Sequence, residues 1–329
     1  MAIIPLETIT EKPVLGISAC LIGEKVRYNG GHKRSKFCLN LLDEVISLIA
    51  VCPEVAIGLG VPRKPIHLTG TASHYDATEI KRPDIRCTNA LTEYAHKTVA
   101  KLHDNSDHPI SGYILMQKSP SCGMSHIKIY GTNGMPTGQF GTGIFAKTLM
   151  NTLPLLPVEE EGRLHDAVLR ENFFTRVYAY YRWQQLTKND FTYQIIERFH
   201  ARYKYILMAH KPDSTAELGR YLATHSKQNP SLLATEYIKR FMQVLRQHTN
   251  RKSHTNVLLH LTGYMKKTLP SGAKENLLKS IEAYRTGLHP LVVPVSMIRD
   301  DLSQYGNEYI NAQYYLNPYP DKLGLRNNI

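Results

Sequence analysis

Three cysteines of this sequence share one local context, and a thiol in that context can bind a metal. Cys20, Cys52 and Cys122 each lie where a short apolar run ends in a loop containing Gly or Pro, in SACLIG, VCPEV and SPSCG. Thiolates are soft ligands that select zinc, copper(I) or iron–sulfur clusters. If the three runs are neighbouring parallel strands, their carboxyl ends lie at one edge of a sheet, where the three thiols converge.

The spacing of the three cysteines narrows the kind of site without deciding it. Intervals of 32 residues (Cys20 to Cys52) and 70 residues (Cys52 to Cys122) fit no zinc finger, because that motif needs closely spaced ligand pairs. Three scattered thiolates could hold an iron–sulfur cluster and leave one iron open to substrate, since such clusters usually take four cysteines. Buried structural cysteines fit the same spacing. Cys38 falls in a helical pattern and Cys87 in a polar loop, so neither is expected to join the set.

The elements that must position these residues follow an α/β pattern. Apolar runs predict one strand from Val14, a second ahead of Cys52, a third at 112–117 and a fourth at 127–131. Apolar residues at helical spacing predict helices at 37–50, at 88–103 with Thr88 or Asn89 as cap, and at 142–153. This alternation predicts an N-terminal α/β domain with a mostly parallel sheet and flanking helices.

The second half of the chain has a different pattern. Prolines and an acidic run at 153–162 indicate a boundary, so the sequence predicts a domain at 1–155, a linker at 156–164 and a second domain at 165–329. Beyond the linker the periodicity is helical throughout, with prolines near the breaks, which predicts an all-α C-terminal domain. The predicted helices cover about 164–186, 191–210, 215–227, 231–248, 252–268, 273–287 and 291–316.

Composition and charge separate the two halves further. The chain has 329 residues and a net charge of +12. Residues 1–162 hold 16 Lys and Arg against 15 Asp and Glu, whereas residues 163–329 hold 24 against 13, together with 15 of the 20 tyrosines. No run of about 18 apolar residues and no secretory signal is visible. Five scattered cysteines do not resemble a disulfide framework, which favours a cytoplasmic protein without a membrane partner.

Three motifs in the first half resemble the thiouracil desulfurase family. They are SACLIGEKVRYNGG at 18–31, CPEVAIGLGVPRKP at 52–65 and KSPSCG at 118–123. The resemblance implies an oxygen-sensitive [4Fe-4S] cluster held by Cys20, Cys52 and Cys122. It also implies that the open iron binds the sulfur of a thiocarbonyl without net redox change. Asn29 stands where the family commonly has Asp, which puts any role needing a charge there in doubt.

Replacement of C=S by C=O needs water, a general base and a proton donor, and the motifs offer candidates for each. Glu54 is the only carboxylate in the three motifs besides Glu24, and it is the expected base; its alternative is an exposed loop acid. Ser119 is the expected hydroxyl at the site, although Ser-Pro also caps turns routinely. The remaining expected contacts to substrate are Arg27, Tyr28, Arg63, Lys118 and Ser121, of which the charged members also suit an ordinary solvated surface.

The basic half, at about 165–310, resembles a YbgA-like helical domain that also occurs as a separate protein. In RFHARYKYILMAHKP at 198–212, Arg198, Arg202 and Lys204 alternate with aromatic side chains, as phosphates and unstacked bases require. Phe199, Tyr203 and Leu207 recur at helical spacing and equally fit a core. Because the charge is concentrated in this half, we expect it to bind a polyanion.

A chain that joins the two domains resembles transfer RNA 4-thiouridine desulfidases. The first hypothesis is therefore desulfuration of 4-thiouridine in thiolated tRNA; no protein partner is evident from the sequence. A rival hypothesis is an enzyme for free 2-thiouracil or another small thiocarbonyl, with the helical half a dimerisation module. An iron–sulfur sensor that binds nucleic acid without turnover is a third, against which Glu54 argues.

Overall fold

The structure is a computed structural model that describes residues 12–42, 45–103, 109–186, 192–305 and 308–329. These residues divide into two compact units, an N-terminal unit at 12–165 and a C-terminal unit at 166–329. Within the described ranges, no helix is long and apolar enough to cross a bilayer.

The N-terminal unit contains two sheets and four helices among its described residues. Its strands are β1 (Val14–Ser18), β2 (Ser47–Val51), β3 (Ile66–Gly70), β4 (Tyr75–Glu79), β5 (Arg82–Arg86), β6 (Ile110–Leu115), β7 (Ile127–Tyr130), β8 (Pro136–Gly141) and β9 (Val158–Glu160). Its helices are α1 (Lys36–Leu42), α2 (Pro53–Ala56), α3 (Thr88–His103) and α4 (Ile144–Thr152).

The first sheet is fully parallel, in the order β2-β1-β6-β9. Strands β1 and β6 are buried at every residue, as expected for the central strands of a parallel sheet that is covered on both faces. Where they pair, Gly16 is required, because a Cβ there would lie 2.2 Å from the ring of Tyr113. The predicted α/β domain with a mostly parallel sheet is confirmed.

The second sheet was not predicted. Its order is β5-β4-β3-β7-β8, and only the β3–β7 pair is parallel. One face packs on a core that includes Ile66, Leu68, Ile129 and Ile144. The predicted strand at 127–131 exists as β7 but belongs to this sheet, and the proline-rich segment before it leads into β3.

Several predicted elements differ from the structure. The helix predicted at 37–50 is confined to α1, because 47–51 forms β2 beside β1; residues 43 and 44 lie outside the described residues. Residues 156–164, predicted as a linker, contain β9, which pairs with β6. Cys87 is buried rather than in a solvated loop, since its N–H donates to the Ala77 carbonyl. The Thr88 hydroxyl also accepts from Ala77 instead of capping α3.

The C-terminal unit is helical, as predicted. Its helices are α5 (Ala167–Leu186), α6 (Tyr193–His210), α7 (Ser214–Thr224), α8 (Pro230–Leu245), α9 (Arg251–Tyr264), α10 (Ser271–Arg285), α11 (Val292–Tyr305) and α12 (Glu308–Asn311). The stretch predicted as one segment at 291–316 is divided between α11 and α12. Prolines mark the boundaries, with Pro230 the first residue of α8 and Pro270 the N-cap of α10.

Two buried histidines form part of the core of the C-terminal unit. Nδ1 of His200 lies 3.2 Å from the Tyr237 hydroxyl, and Nδ1 of His210 lies 2.5 Å from the Gln247 carbonyl. Burial lowers the pKa of each imidazole to about 4, from an ordinary 6.5. Both rings are therefore neutral in the folded protein at pH 7, and at pH 5 as well.

These histidines make the stability of the C-terminal unit depend on pH. Between pH 6.5 and about 4 the unfolded chain binds protons that the folded chain does not, so stability falls as pH falls through this window. Each histidine is expected to remove roughly 2 kcal/mol of stability at pH 5 relative to pH 7.5. Urea unfolding at the two pH values measures this, with His210→Gln expected to reduce the difference and the exposed His260→Gln to leave it unchanged. An unaltered pH dependence in His210→Gln would contradict the assignment.

Candidate active site

A cavity of about 580 Å³ lies at the carboxyl ends of β1, β2 and β6, and three free cysteines line it. Cys20 follows β1, Cys52 directly follows β2, and Cys122 lies in the loop after β6. Every lining residue lies between 18 and 122, so the cavity belongs to the N-terminal unit. The structure brings together the three cysteines selected from the sequence, whereas Cys38 and Cys87 do not line this cavity.

The loops that carry the first two cysteines are fixed by local hydrogen bonds. Cys20 lies in a 3-10 turn that ends at Gly23, whose φ of 100° favours glycine, and the Cys20 carbonyl accepts from Lys33 N–H at 2.9 Å. Cys52 is the N-cap of α2, and its Sγ lies 3.8 Å from the Val26 carbonyl oxygen. The loop at 19–33 therefore forms one wall of the cavity beside both thiols.

The third cysteine lies on a tight turn that its own sequence closes. The Ser119 hydroxyl accepts from the N–H groups of Ser121 at 3.2 Å and Cys122 at 3.0 Å. A Cβ at Gly143 would lie 2.6 Å from the Ser121 carbonyl oxygen, so only glycine allows α4 to begin beside this turn. The Ser18 hydroxyl, at the end of β1, hydrogen-bonds the Cys122 side chain.

Burial raises the pKa of all three thiols. For Cys20 it reaches about 11, with the neighbouring Cys52 adding to the effect of burial. For Cys52 the N–H groups of Val55 and Glu54 oppose the rise, as expected at the start of a helix. For Cys122 burial dominates, opposed by the Ser18 hydroxyl. The thiols are therefore neutral near pH 7 by themselves, and a metal that binds them as thiolates must displace their protons.

Glu54 lines the cavity and is held on both carboxylate oxygens. Oε1 accepts from the Ser121 hydroxyl at 2.9 Å, and Oε2 accepts from Nε of Arg63 at 2.9 Å and pairs with its Nη2 at 2.7 Å. The side chains of Glu54 and Arg63 are only 14% and 5% exposed. A charged pair this poorly solvated has a fixed geometry, so the carboxylate has a defined orientation in the cavity wall.

Arg63 is fully engaged within the protein. Besides Glu54, its Nη1 donates to the carbonyls of Val26 at 2.9 Å and Gly60 at 3.0 Å, and its backbone N–H donates to the Tyr28 carbonyl. It therefore ties the loop at 26–28 to α2. Substrate binding by Arg63 stays a prediction; the observed contacts are those of a residue that positions Glu54.

Ser121 and Ser119 have different surroundings. Ser121 is fully buried, does not line the cavity, and donates to Glu54. Ser119 lines the cavity and is half-buried; its oxygen accepts two backbone N–H groups, which leaves its own proton to donate. Ser119 is thus the hydroxyl that faces the cavity, and its catalytic role stays a prediction.

The remaining predicted contacts lie at the rim. Arg27, Tyr28 and Lys118 all line the cavity, and the Arg27 guanidinium lies 5.8 Å from the centre of the Tyr28 ring. Lys118 is exposed and has a φ of 59°, a left-handed conformation that is unusual for a residue other than glycine. The Asn29 side chain accepts from Gly31 N–H at 3.1 Å, so it stabilises a turn and does not line the cavity.

The candidate RNA contacts of α6 are not equivalent. Arg198 is exposed, whereas Arg202 donates to the Tyr314 hydroxyl at 3.3 Å and Lys204 hydrogen-bonds Tyr309. Both of these partly buried cations therefore have partners within the unit. Phe199, Tyr203 and Leu207 are almost fully buried, which confirms the prediction that they could simply form the core. RNA binding by the three cations stays a prediction.

Two residues near the thiols were missed in the sequence. Ser18 is 2% exposed, and its oxygen accepts Met116 N–H at 2.9 Å, which orients its proton towards Cys122. Tyr113 is fully buried with no hydrogen-bond partner for its hydroxyl, and after burial the charge of Cys122 contributes most to raising its pKa. Ser18 stands in the SACLIG motif and could have been noticed there; nothing in GYILM distinguishes Tyr113.

Comparison with known proteins assigns each unit to a family. The 2-thiouracil desulfurase family matches residues 15–161, and a family of proteins of unknown function, DUF1722, matches residues 204–320. The uncharacterized protein YbbK of Bacillus subtilis (strain 168) is 33% identical over 149 residues, covering 40% of this chain and 87% of that protein. The chain therefore belongs to the 2-thiouracil desulfurase family.

Two further similarities accompany this assignment. The uncharacterized protein YbgA of Escherichia coli (strain K12) is 29% identical over 154 residues, covering 46% of this chain and 91% of that protein. The solved structure of the [4Fe-4S]-dependent thiouracil desulfidase TudS is 28% identical, with a TM-score of 0.37, and covers 47% of this chain and 94% of that one. The predicted fusion of a desulfurase domain with a YbgA-like domain is confirmed.

The three cysteines that line the cavity are expected to act as one set of metal ligands. After anaerobic reconstitution the protein should bind about four irons and become brown, and oxygen should bleach the colour. Cys20→Ala, Cys52→Ala or Cys122→Ala should each abolish this, measured by iron content and visible absorption. Cys38→Ala and Cys87→Ala are the matched controls, because both thiols are buried outside this cavity. A normal iron content in any of the first three variants would exclude that cysteine as a ligand.

Proposed function

We propose that the protein is a [4Fe-4S]-dependent desulfidase that converts 4-thiouridine in tRNA to uridine and releases sulfide. The observation that carries the proposal is the set of three free cysteines around one cavity, beside a carboxylate held by an arginine and a serine. Membership of the 2-thiouracil desulfurase family supports the reaction type.

The donor set fits a cluster better than a single ion. Within the described residues, no three His, Cys, Asp or Glu side chains are grouped so that they could hold one metal ion. In a cluster each thiolate binds a different iron, so the three ligands need not meet at one point. The buried Tyr113 hydroxyl, which has no partner in the protein, fits a centre that carries acceptor sulfur atoms nearby. Cys20, Cys52 and Cys122 would hold the cluster.

When bound, the cluster supplies a Lewis-acidic iron without a cysteine ligand, which takes the sulfur of the thiocarbonyl. The overall reaction exchanges C=S for C=O with water and releases hydrogen sulfide, so no electrons are gained or lost. The protein's own residues must orient the base and handle protons. Glu54 is the proposed general base, because its carboxylate is fixed in the cavity wall by Arg63 and Ser121.

The other side chains of the cavity have supporting roles in this proposal. Ser119 donates its hydroxyl proton to the substrate, since its oxygen already accepts two backbone N–H groups. Arg63 compensates the charge of Glu54 and prevents its reorientation. Lys33 and Lys118 line the cavity and, among the described residues, form no salt bridge; Arg27 joins them at the rim. These cations favour a substrate that carries negative charge next to the thiobase.

A polymeric substrate is supported by the distribution of charge along the chain. The near-neutral half contains the cavity, whereas the half from 163 onward holds 24 Lys and Arg against 13 Asp and Glu. A free thiobase has no phosphate for such a surface to bind, whereas tRNA has one for each nucleotide. The exposed Arg198 is the clearest candidate contact on α6.

Desulfuration of free 2-thiouracil is the second candidate, and one observation favours it. All residues that line the cavity lie in the N-terminal unit, and about 580 Å³ is an ordinary volume for a small-molecule site. The two candidates share the chemistry and differ in what delivers the thiobase.

Glu54→Gln tests the chemistry. This variant should keep the cluster and the hydrogen bond from Ser121 but lose at least about a hundredfold in turnover, since an amide cannot accept the proton. Single-turnover sulfide release after anaerobic reconstitution measures it. Glu24→Gln is the control, because Glu24 is exposed in the same loop region and does not line the cavity. Near-normal turnover of Glu54→Gln would remove this residue from the mechanism.

Salt dependence tests the substrate. The kcat/KM for thiolated tRNA should fall steeply with added salt, while that for free 2-thiouracil should change little. Arg198→Gln should weaken tRNA binding uniformly and reduce the slope of log kcat/KM against log salt by about one, as expected for one lost phosphate contact. Exposed Lys279, which pairs with Glu275, supplies the control Lys279→Gln. Sulfide release from 2-thiouracil but none from tRNA would favour the small-molecule candidate.

A further inference from the structure

A second cavity of about 520 Å³ adjoins the active-site cavity. Its lining includes Arg63 and Ile66, which also line the first cavity, so the two cavities are separated by a shared wall. The rest of the second lining comes from the loop at 58–64 and from 79–87. None of the roles assigned above uses this space.

The second cavity combines an apolar floor with a cationic rim. Leu59, Ile66 and Ile85 form the floor and pack on the core of the second sheet. At the rim, Lys64 is exposed and, in the part of the chain that the structure describes, forms no salt bridge. Arg82 also lines the cavity; its Nε and Nη2 bond to Glu79, and its side chain is 62% exposed. Its Nη1 takes no part in this pair, so it can bind a further anion.

The shared wall fixes the distance between the two cavities. Arg63 is 5% exposed and bonds to Glu54, Val26 and Gly60 at once, so its guanidinium cannot move without breaking several hydrogen bonds. A ligand that fills the first cavity therefore does not open into the second. Two groups of one ligand, joined by a link that passes over this wall, can occupy both.

We propose that the second cavity binds the nucleotide next to the thiolated one in an RNA strand. Its base lies on the apolar floor, and Lys64 and Arg82 contact the phosphates at the rim. Apolar or aromatic faces accept bases of any sequence, while cations bind the backbone, which is the usual combination for single-stranded nucleic acid. The inference rests on the proposed action on RNA and adds a subsite within the N-terminal unit.

This subsite separates substrates by length rather than by thiobase. A free thiobase or a thionucleoside occupies only the first cavity, whereas an oligonucleotide also gains the contacts of the second. Enzymes that act on an extruded base commonly read its flanking nucleotides in this way. Binding energy from this remote contact places the thiobase against Glu54 and the cysteines, so its loss affects oligonucleotides alone.

The test compares three substrates: 2-thiouracil, the nucleoside 4-thiouridine, and a trinucleotide with 4-thiouridine at its centre. Reconstituted full-length wild type should show a kcat/KM for the trinucleotide at least about tenfold above that for the nucleoside. Lys64→Glu should remove most of this preference by charge, and Ile85→Phe by filling the cavity. Neither should change turnover of 2-thiouracil, because neither residue lines the first cavity.

Lys128→Glu is the matched control, since Lys128 is exposed on β7 of the same unit and lines neither cavity. Iron content and thermal unfolding verify that each variant is folded and loaded. An unchanged preference for the trinucleotide in both Lys64→Glu and Ile85→Phe would overturn the subsite, as would equal wild-type activity on trinucleotide and nucleoside. Wild type that is inactive on both thiouridine substrates but active on 2-thiouracil would instead defeat the proposed function itself.

Discussion

Parallel pairing of β2, β1 and β6 is the constraint on which the candidate site depends. Because all three strands run in one direction, the loops that follow them leave the sheet at the same edge. Residues separated by up to about a hundred positions in sequence, from Cys20 to Cys122, then line one cavity. Gly16 contributes indirectly, since only a residue without a side chain allows the Tyr113 ring to lie between β1 and β6.

The same burial that protects the thiols makes them poor ligands without metal. Each thiol has a raised pKa, so thiolate formation has to be driven by the positive charge of the metal. The polar groups around the thiols partly offset this cost: Ser18 faces Cys122, and the first N–H groups of α2 face Cys52. Assembly of a centre here is therefore linked to proton release and to exclusion of water from the loops.

The sequence predicted the site better than the fold around it. Cys20, Cys52 and Cys122 could be selected because strand ends followed by Gly or Pro are local signals. The second sheet could not, since β5 and β8 are mostly exposed and lack an apolar alternation. Residues 47–51 were assigned to a helix because Ile46 and Ile49 also fit helical spacing, and only pairing with β1 decides otherwise. Burial of Cys87 likewise depends on contacts from β4.

The roles of individual polar residues were the hardest to predict. Residue type alone does not distinguish Ser119, which closes the turn, from Ser121, which donates to Glu54. Nor does the sequence indicate that Arg63 is engaged by Glu54, Val26 and Gly60. These assignments depend on how loops from different strands meet, which is a tertiary property.

Ser121 has a consequence for how this family can vary. Its backbone belongs to the turn that carries Cys122, while its hydroxyl holds the carboxylate that follows Cys52. A change in the turn therefore alters two loops at once, and neither loop can drift in sequence without the other. Natural selection acts on the metal-binding turn and the acid–base residue as a single inherited unit, so chains that acquire new substrates are constrained to do so through the rim and the neighbouring cavity.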